Sequence, residues 1–434
     1  MSLRNFIANL EIKNNLIKIS REVSTDFEIA NILAALDGKV VLFENVKNSK
    51  FRVIGNVVSS RDLIASALDI KKEQLLERLS CAINNLKEPE IIDSGLCQEV
   101  EEPVDLNKLP ILKYMPKDGG KYIASAVCII KDPETGIRNS SFHRLMLLDK
   151  NHFAARIVEN RGTDTALKKV GELDIAICIG NSIPVLLAGA TSLPMNVDEL
   201  GMANALEETK LVKCKTIDIE VPADSEFVLE GRITREKTKE GPFLDLTETY
   251  DKIREQPIIE IKKITHRKDA IFHALLPGKG EHKLLMGMPR EPTIFNEVNK
   301  VCKCKNVLIT PGGTSWLHAI IQITKQNEDD GRKAIEAAFK GHNSLKHCVV
   351  VDDDINIYDL NEVEWAIATR FQADKNALVM PNQPGSSLDP SGDLTEGKKA
   401  RTCKAGIDAT IPFDKKDKGF KKENYGKTDL KKYL

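Results

Sequence analysis

The stretch Glu240-Gly-Pro-Phe-Leu-Asp-Leu-Thr-Glu248 decides how this chain is read. It sets two carboxylates, Glu240 and Asp245, five residues apart across a Gly-Pro turn. A Gly-Pro bend followed by Phe constrains the backbone and can aim both acids into one cleft. One acid can then hold an arginine while the other, less solvated, moves a proton. Taken alone, such a pair is as readily an ordinary exposed loop, so its surroundings decide.

On both sides the chain is β-rich. Segments 124–130, 144–148, 152–158, 174–179, 216–221, 227–233 and 258–266 read as strands separated by turns, with a helix at 200–207. That spacing predicts a barrel or sandwich across 110–291. Residues 1–109 read as a small α/β region. Leu3, Phe6, Ile7 and Leu10 have helical spacing, strands are expected at 16–20, 39–43 and 51–57, Ser60 can cap a helix, and a further helix spans 72–85. An acidic, proline-containing linker is expected at 95–109. In 292–434, strands at 307–310 and 348–351 alternate with helices at 319–326, 332–339 and 360–371, which suggests a third, α/β domain. From Gln383 the chain reads as loops and an extended arm, with a solvated basic stretch at 415–432.

Composition excludes several function classes. Lys+Arg number 63 against Asp+Glu 64, a net charge of −1, which argues against coating nucleic acid or an anionic membrane. Aromatics are 5%, too few for an extended base-stacking surface. No apolar run approaches the roughly 20 residues of a membrane helix, and the first residues contain no secretory h-region. Nine cysteines, several in apolar strand-like runs, point to a reduced, cytoplasmic protein rather than a disulfide framework. The chain contains no GxxxxGK[ST], HExxH or GxSxG, and the Gly278-Lys-Gly280 stretch has Lys283 where a dinucleotide fingerprint needs Gly. Asp352, Asp354 and Asn356 start like a calcium loop, but Ile357 and Val363 occupy the positions that need Gly and Glu.

Three segments join the first. They are Asn139-Ser-Ser-Phe-His-Arg144, Arg156-Ile-Val-Glu-Asn-Arg-Gly162 and Asp198-Glu-Leu-Gly-Met-Ala-Asn-Ala205. With Asp352-Asp-Asp-Ile-Asn356, Trp365-Ala-Ile-Ala-Thr-Arg370 and Gly406-Ile-Asp-Ala-Thr410, their order and combination resemble the UbiD-type decarboxylases across nearly the whole chain. The resemblance implies a multidomain α+β and α/β fold: an N-terminal α/β region, a central FMN-binding split β-barrel and a C-terminal α/β assembly domain. It implies a prenylated FMN cofactor, supplied by a separate flavin prenyltransferase, and a homo-oligomer, a dimer or a multiple of dimers. By the resemblance, Asp245 moves the proton, and Arg144, paired with Glu240, steers the carboxylate of a small-molecule acid substrate. An unsaturated or aromatic acid joins the flavin, carbon dioxide leaves, and a carboxylic acid protonates the remaining carbon.

The same resemblance assigns cofactor contacts to Phe142, His143, Arg144, Arg156, Ile157, Val158, Arg161 and Gly162. Arg156 and Arg161 are candidates for the flavin phosphate. Asn139, Glu199 and Asn160 become ligands of Mn²⁺ or Mg²⁺, and K⁺ is a further candidate. Two positions depart from the family pattern: Asn160 stands where many members have His, leaving Glu159 as an alternative ligand, and Leu244 stands where Gly is usual. The loop Pro277-Gly-Lys-Gly-Glu-His-Lys283 offers Lys279, His282 and Lys283 to a phosphate, although ordinary solvated lysines fit it as well. A phosphate-bearing substrate, trans-anhydromevalonate 5-phosphate converted to isopentenyl phosphate in isoprenoid biosynthesis, is the preferred expectation. A 4-hydroxybenzoate-type acid is the runner-up. An ordinary FMN oxidoreductase and a non-catalytic assembly protein are the readings from other classes.

Overall fold

The computed structural model describes residues 1–395, 399–415, 419–420, 422–423, 428–429 and 431. They form two compact units. One comprises Met1–Thr293, Ile309–Trp316 and Ser387–Pro390; the other comprises Ile294–Leu308, Leu317–Ser386 and Ser391–Leu434.

The first unit is organised by a nine-stranded sheet in the order Tyr122–Ile123, Leu145–Leu147, His152–Ala155, Arg254–His266, Phe227–Glu240, Leu173–Ile179, Val127–Lys131, Arg138–Phe142, with Val100–Glu102 added beside Arg254–His266. Its pairings are antiparallel. Among the described residues the two end strands do not pair with each other, so the barrel is split. Strands Val127–Lys131 and Leu173–Ile179 are apolar at all but one position each because both faces are covered. Along Leu173–Ile179, Ile175, Ile177 and Ile179 enter one core, while Ala176 and Cys178 enter the other. Helix Ile183–Ala190 lies in that second core with all eight residues buried, which is why it has no amphipathic period to read.

A four-stranded sheet, Leu16–Ile19, Val40–Phe43, Arg52–Gly55 and Ile271–His273, borrows its last strand from beyond the barrel. The expected linker at 95–109 is instead tied down. Its Val100–Glu102 pairs with Arg254–His266, and Cys97 and Leu106 are fully buried. Apolar anchors within an acidic stretch outweighed its loop-like composition.

In the second unit, five strands run in the order Lys303–Ile309, His318–Thr324, His347–Asp352, Arg401–Ala409, Ala377–Pro384. The helix expected at 319–326 is a strand, parallel to His347–Asp352. Its Ala-Ile-Ile run is buried on both faces, and a short buried run cannot be assigned by periodicity. The expected loop-and-arm tail contains Arg401–Ala409, an interior strand. A Cβ at Gly406 would meet Ile335 Cγ2 at 2.2 Å, so glycine there lets helix Asp330–Gly341 approach the sheet. Of the basic stretch at 415–432, residues 416–418, 421, 424–427, 430 and 432 lie outside the described residues. Among the described residues no helix is long and apolar enough to cross a membrane.

Candidate active site

Strand Phe227–Glu240 ends at Glu240, opposite Arg254 on the neighbouring strand. Two strands further along the sheet, Arg144 immediately precedes Leu145–Leu147. The Gly-Pro turn then folds the chain back as a small hairpin, Phe243–Leu244 against Tyr250–Asp251. Gly119 N–H donates to Pro242 O at 2.8 Å. A Cβ at Gly119 would lie 2.2 Å from Gly241 O, so this approach requires glycine.

These elements surround the Arg144 guanidinium with carboxylates. Nε and Nη2 donate to Glu240 Oε1 and Oε2, both at 2.9 Å. Nη1 donates to Asp245 Oδ2 at 2.6 Å, and Nη2 to Asp251 Oδ2 at 3.0 Å. Arg254 Nη1 balances Asp251 at 2.5 Å. Tyr122 Oη donates to Glu240 Oε1 at 3.1 Å. The Phe243 ring lies 4.9 Å from the guanidinium and 4.5 Å from the Tyr122 ring. Burial opposes the charge on Arg144, yet the bonds to Glu240 and the fields of Asp245 and Asp251 outweigh it and raise the pKa above the ordinary arginine value.

The three acids differ in access. The side chains of Glu240, Asp251 and Asp245 are 0%, 8% and 15% exposed. Asp245 is therefore the member of the nest most open to a ligand. Its Oδ1 accepts from Leu246 N–H at 2.7 Å, which leaves Oδ2 on Arg144 as the movable contact. Asp118, whose pKa burial raises, accepts from Leu244 N–H at 3.3 Å and fixes the backbone beside Asp245.

A second group centres on Glu199. Its Oε2 accepts from Ser140 N–H at 2.8 Å and its Oε1 from Asn139 Nδ2 at 3.1 Å. Burial raises its pKa to about 8, and the neighbouring Ser140 Oγ is buried without a partner. A buried carboxylate lacking a cation, beside an amide oxygen and an unpaired hydroxyl, is a donor set that fits a hard divalent ion. Asn160 is placed differently. It is exposed, at φ 59°, with its N–H on Asp164 Oδ2 at 2.7 Å. Among the described residues no hydrogen bond joins its side chain to Asn139 or Glu199, and no cluster of three His, Cys, Asp or Glu converges on a metal site.

His143 is buried between Thr163 Oγ1, 3.0 Å from Nε2, and Arg156 O, 3.2 Å from Nδ1; burial lowers its pKa to about 4. Arg156 is buried and donates to Ile157 O and Glu159, so its charge is already met inside its own segment. Ile157 is buried and Val158 exposed. Gly162 abuts the Asn139 amide, where a Cβ would lie 2.4 Å from Oδ1. Phe142 is half-buried and Arg161 exposed.

The segment 277–283 is partly helical. Gly280 begins helix Gly280–Gly287. Glu281, fully buried, accepts from Asn56 N–H and Val58 N–H and meets His273 Nε2 at 3.0 Å. Lys283 and Lys279 both reach Glu248 Oε1, at 2.8 and 3.4 Å, so one carboxylate is shared by the two cations expected to grip a phosphate and offsets one of their two charges. His282 Nδ1 accepts from Gly278 N–H at 3.1 Å. Burial lowers its pKa, and the charges of Asp245 and Arg144 both reach it.

Sequence reasoning missed Asp251, Arg254, Tyr122 and Asp118. The Asp251/Arg254 spacing was a legible signal; Tyr122 and Asp118 join only through the fold.

Comparison with known proteins follows the same outline. Residues 7–83, 90–280 and 283–409 match the N-terminal, Rift-related and C-terminal domains of 3-octaprenyl-4-hydroxybenzoate carboxy-lyase, UbiD. The chain is 42% identical to an anhydromevalonate phosphate decarboxylase of Methanothermobacter thermautotrophicus, over 96% of this chain and 98% of that one. It is 44% identical to the protein of that name from Methanosarcina mazei, over 94% and 96%. Among solved structures, the UbiD-class enzyme HmfF from Pelotomaculum thermopropionicum, in complex with FMN, superposes over the full length of both chains with a TM-score of 0.94 at 37% identity. An evolved dimeric form of HmfF in complex with prFMN gives 0.90 at 36%, again over both full chains.

Proposed function

The chain belongs to the UbiD family, and from that premise we propose that it decarboxylates trans-anhydromevalonate 5-phosphate to isopentenyl phosphate, using prenylated FMN. The observation that carries this is the nest in which Arg144 binds Glu240 through two bonds and Asp245 through a third. The name shared by relatives 42% and 44% identical supports the substrate.

Arg144 is the anchor for the substrate carboxylate. A guanidinium clamped on one edge by Glu240 keeps a fixed orientation and offers its other edge. The substrate carboxylate takes the Nη1 position now held by Asp245. Asp245 then loses its counter-ion, which favours its taking up a proton from solvent, and it delivers that proton to the carbon that carbon dioxide has left. Glu240, without exposed surface, keeps Arg144 in place and charged. Bound prenylated FMN supplies the electron sink for loss of carbon dioxide. Phe142, His143, Ile157 and Gly162 would help hold it. Asn139 and Glu199 would hold Mn²⁺ or Mg²⁺.

Cofactor-loaded protein should release carbon dioxide and isopentenyl phosphate from this acid. Asp245→Asn should lower turnover by roughly 10²–10⁴-fold, the usual contribution of a positioned proton donor, with flavin absorbance intact. Full turnover in that variant would sink the assignment. A flavin prenyltransferase as cofactor supplier, a cytoplasmic setting and a homo-oligomer complete the reading.

A further inference from the structure

Arg290 stands apart from the other arginines of the first unit. Its Nε is buried and has no hydrogen-bond partner, and among the described residues no carboxylate pairs with it. Its guanidinium lies 5.4 Å from the Trp316 ring centre, an arrangement that orients the plane and leaves its N–H edge free to donate. Arg161 adds to the positive field, and burial together with that field lowers the Arg290 pKa to about 10. The residue nevertheless retains some exposed surface, which leaves it open to a ligand.

The chain running up to Trp316 is built around the same point. In Thr310-Pro-Gly-Gly-Thr-Ser-Trp316, Thr314 and Ser315 take φ of 61° and 52°. A β-branched residue adopts that conformation at a cost, and such outliers gather at ligand sites. Thr314 Oγ1 is buried without a partner, and a Cβ at Gly312 would meet nothing within 4 Å. Ser315 packs against the end of the helix that carries His282, where a Cβ at Gly287 would lie 2.2 Å from Ser315 O. A buried cation without a counter-ion and a buried hydroxyl without a partner are each costly. Both costs are removed by one dianion that accepts from both groups.

We propose that Arg290 and the hydroxyl of Thr314 bind the phosphate monoester of the substrate, with Arg161 adding to the field. This rests on the decarboxylase reading above and moves the phosphate away from Lys279 and Lys283, which share the single carboxylate of Glu248. The placement suits the substrate. His282, within the field of Asp245 and Arg144, lies eight residues before Arg290, along the helix to Gly287 and then a 3₁₀ turn over Met288–Arg290, roughly 13 Å of rise. Helical side chains lean back toward the N-terminus, so the arginine closes much of that gap. Four carbons and an ester oxygen span the rest between carboxylate carbon and phosphorus.

Full-length, flavin-loaded protein titrated calorimetrically with isopentenyl phosphate, and with isopentenol as the phosphate-free control, tests this. The wild type binds the ester and not the alcohol. Arg290→Gln weakens ester binding by about 10- to 100-fold, the range for a lost charged hydrogen bond. In that variant KM for the phosphorylated acid rises by a similar factor, kcat changes little and flavin content holds. Thr314→Val gives a smaller loss. Arg290→Lys, which keeps charge without the planar fork, recovers part of the affinity, and these two decide the matter should Arg290→Gln not fold. Unchanged affinity in Arg290→Gln overturns the proposal. Loss of flavin from that variant also overturns it, because the group then serves the cofactor's phosphate. If the wild type releases no carbon dioxide from the acid yet binds isopentenyl phosphate through Arg290, the subsite stands and the decarboxylase reading falls.

Discussion

Two arginines of the first unit, Arg144 and Arg290, are placed in opposite electrostatic conditions. Arg144 is met by Glu240, Asp245 and Asp251, with Arg254 balancing the surplus of acid. Arg290 has an aromatic ring, an unpaired Nε and a second arginine nearby. A buried cation with its counter-ions in place is a preorganised tool; one without them is a site waiting for an anion. The difference separates a centre that does chemistry from one that recognises the far end of a substrate.

The largest test of that contrast is removal of each guanidinium. Arg144→Ala leaves Glu240 buried and uncompensated and should cost roughly 3–5 kcal/mol of stability, read as a lower denaturant midpoint. Arg290→Met removes a charge that no carboxylate shares. In ligand-free protein it should be neutral or stabilising by roughly 1 kcal/mol, while abolishing protection of the fold by isopentenyl phosphate. Equal losses in the two variants would erase the distinction.

Acid comes next. His143, the residue before Arg144, titrates at about 4 in the fold against an ordinary 6.5 because it is buried. The unfolded chain therefore takes up this proton first. The stability it confers is complete above pH 6.5 and is lost as pH falls toward about 4, by roughly 3 kcal/mol. His143→Gln should flatten that part of a stability–pH curve measured by denaturant titration.

Smaller effects sharpen the picture. Tyr122→Phe removes one donor to Glu240 Oε1 but leaves both Arg144 bonds, so it should cost about 1 kcal/mol. Lys283→Met breaks a partly exposed pair with Glu248 and should change stability by about 0.5 kcal/mol or less. A large loss there would give the Lys279–Glu248–Lys283 group more weight than its exposure allows.

Much of this was legible before any coordinates. Arg144, 96 and 101 positions before Glu240 and Asp245, was readable as one group with them because their segments carry the family pattern. The barrel strands were readable from short β-branched runs between turns. What misled was burial on both faces. The 319–326 run lacks the alternation that separates strand from helix, and helix Ile183–Ala190 has no polar face at all.

By itself, the sequence determined which residues carry charge or hydrogen-bonding capacity, and through local periodicity and turn chemistry it outlined the barrel and the Gly-Pro bend. Only the tertiary structure decided which charges are answered. Lys279 and Lys283 look free in sequence and meet Glu248 in the fold, whereas Arg290 looks ordinary and is left without a counter-ion. The reason is physical: a side chain's chemistry is local, but desolvation and pairing depend on neighbours brought together from distant parts of the chain.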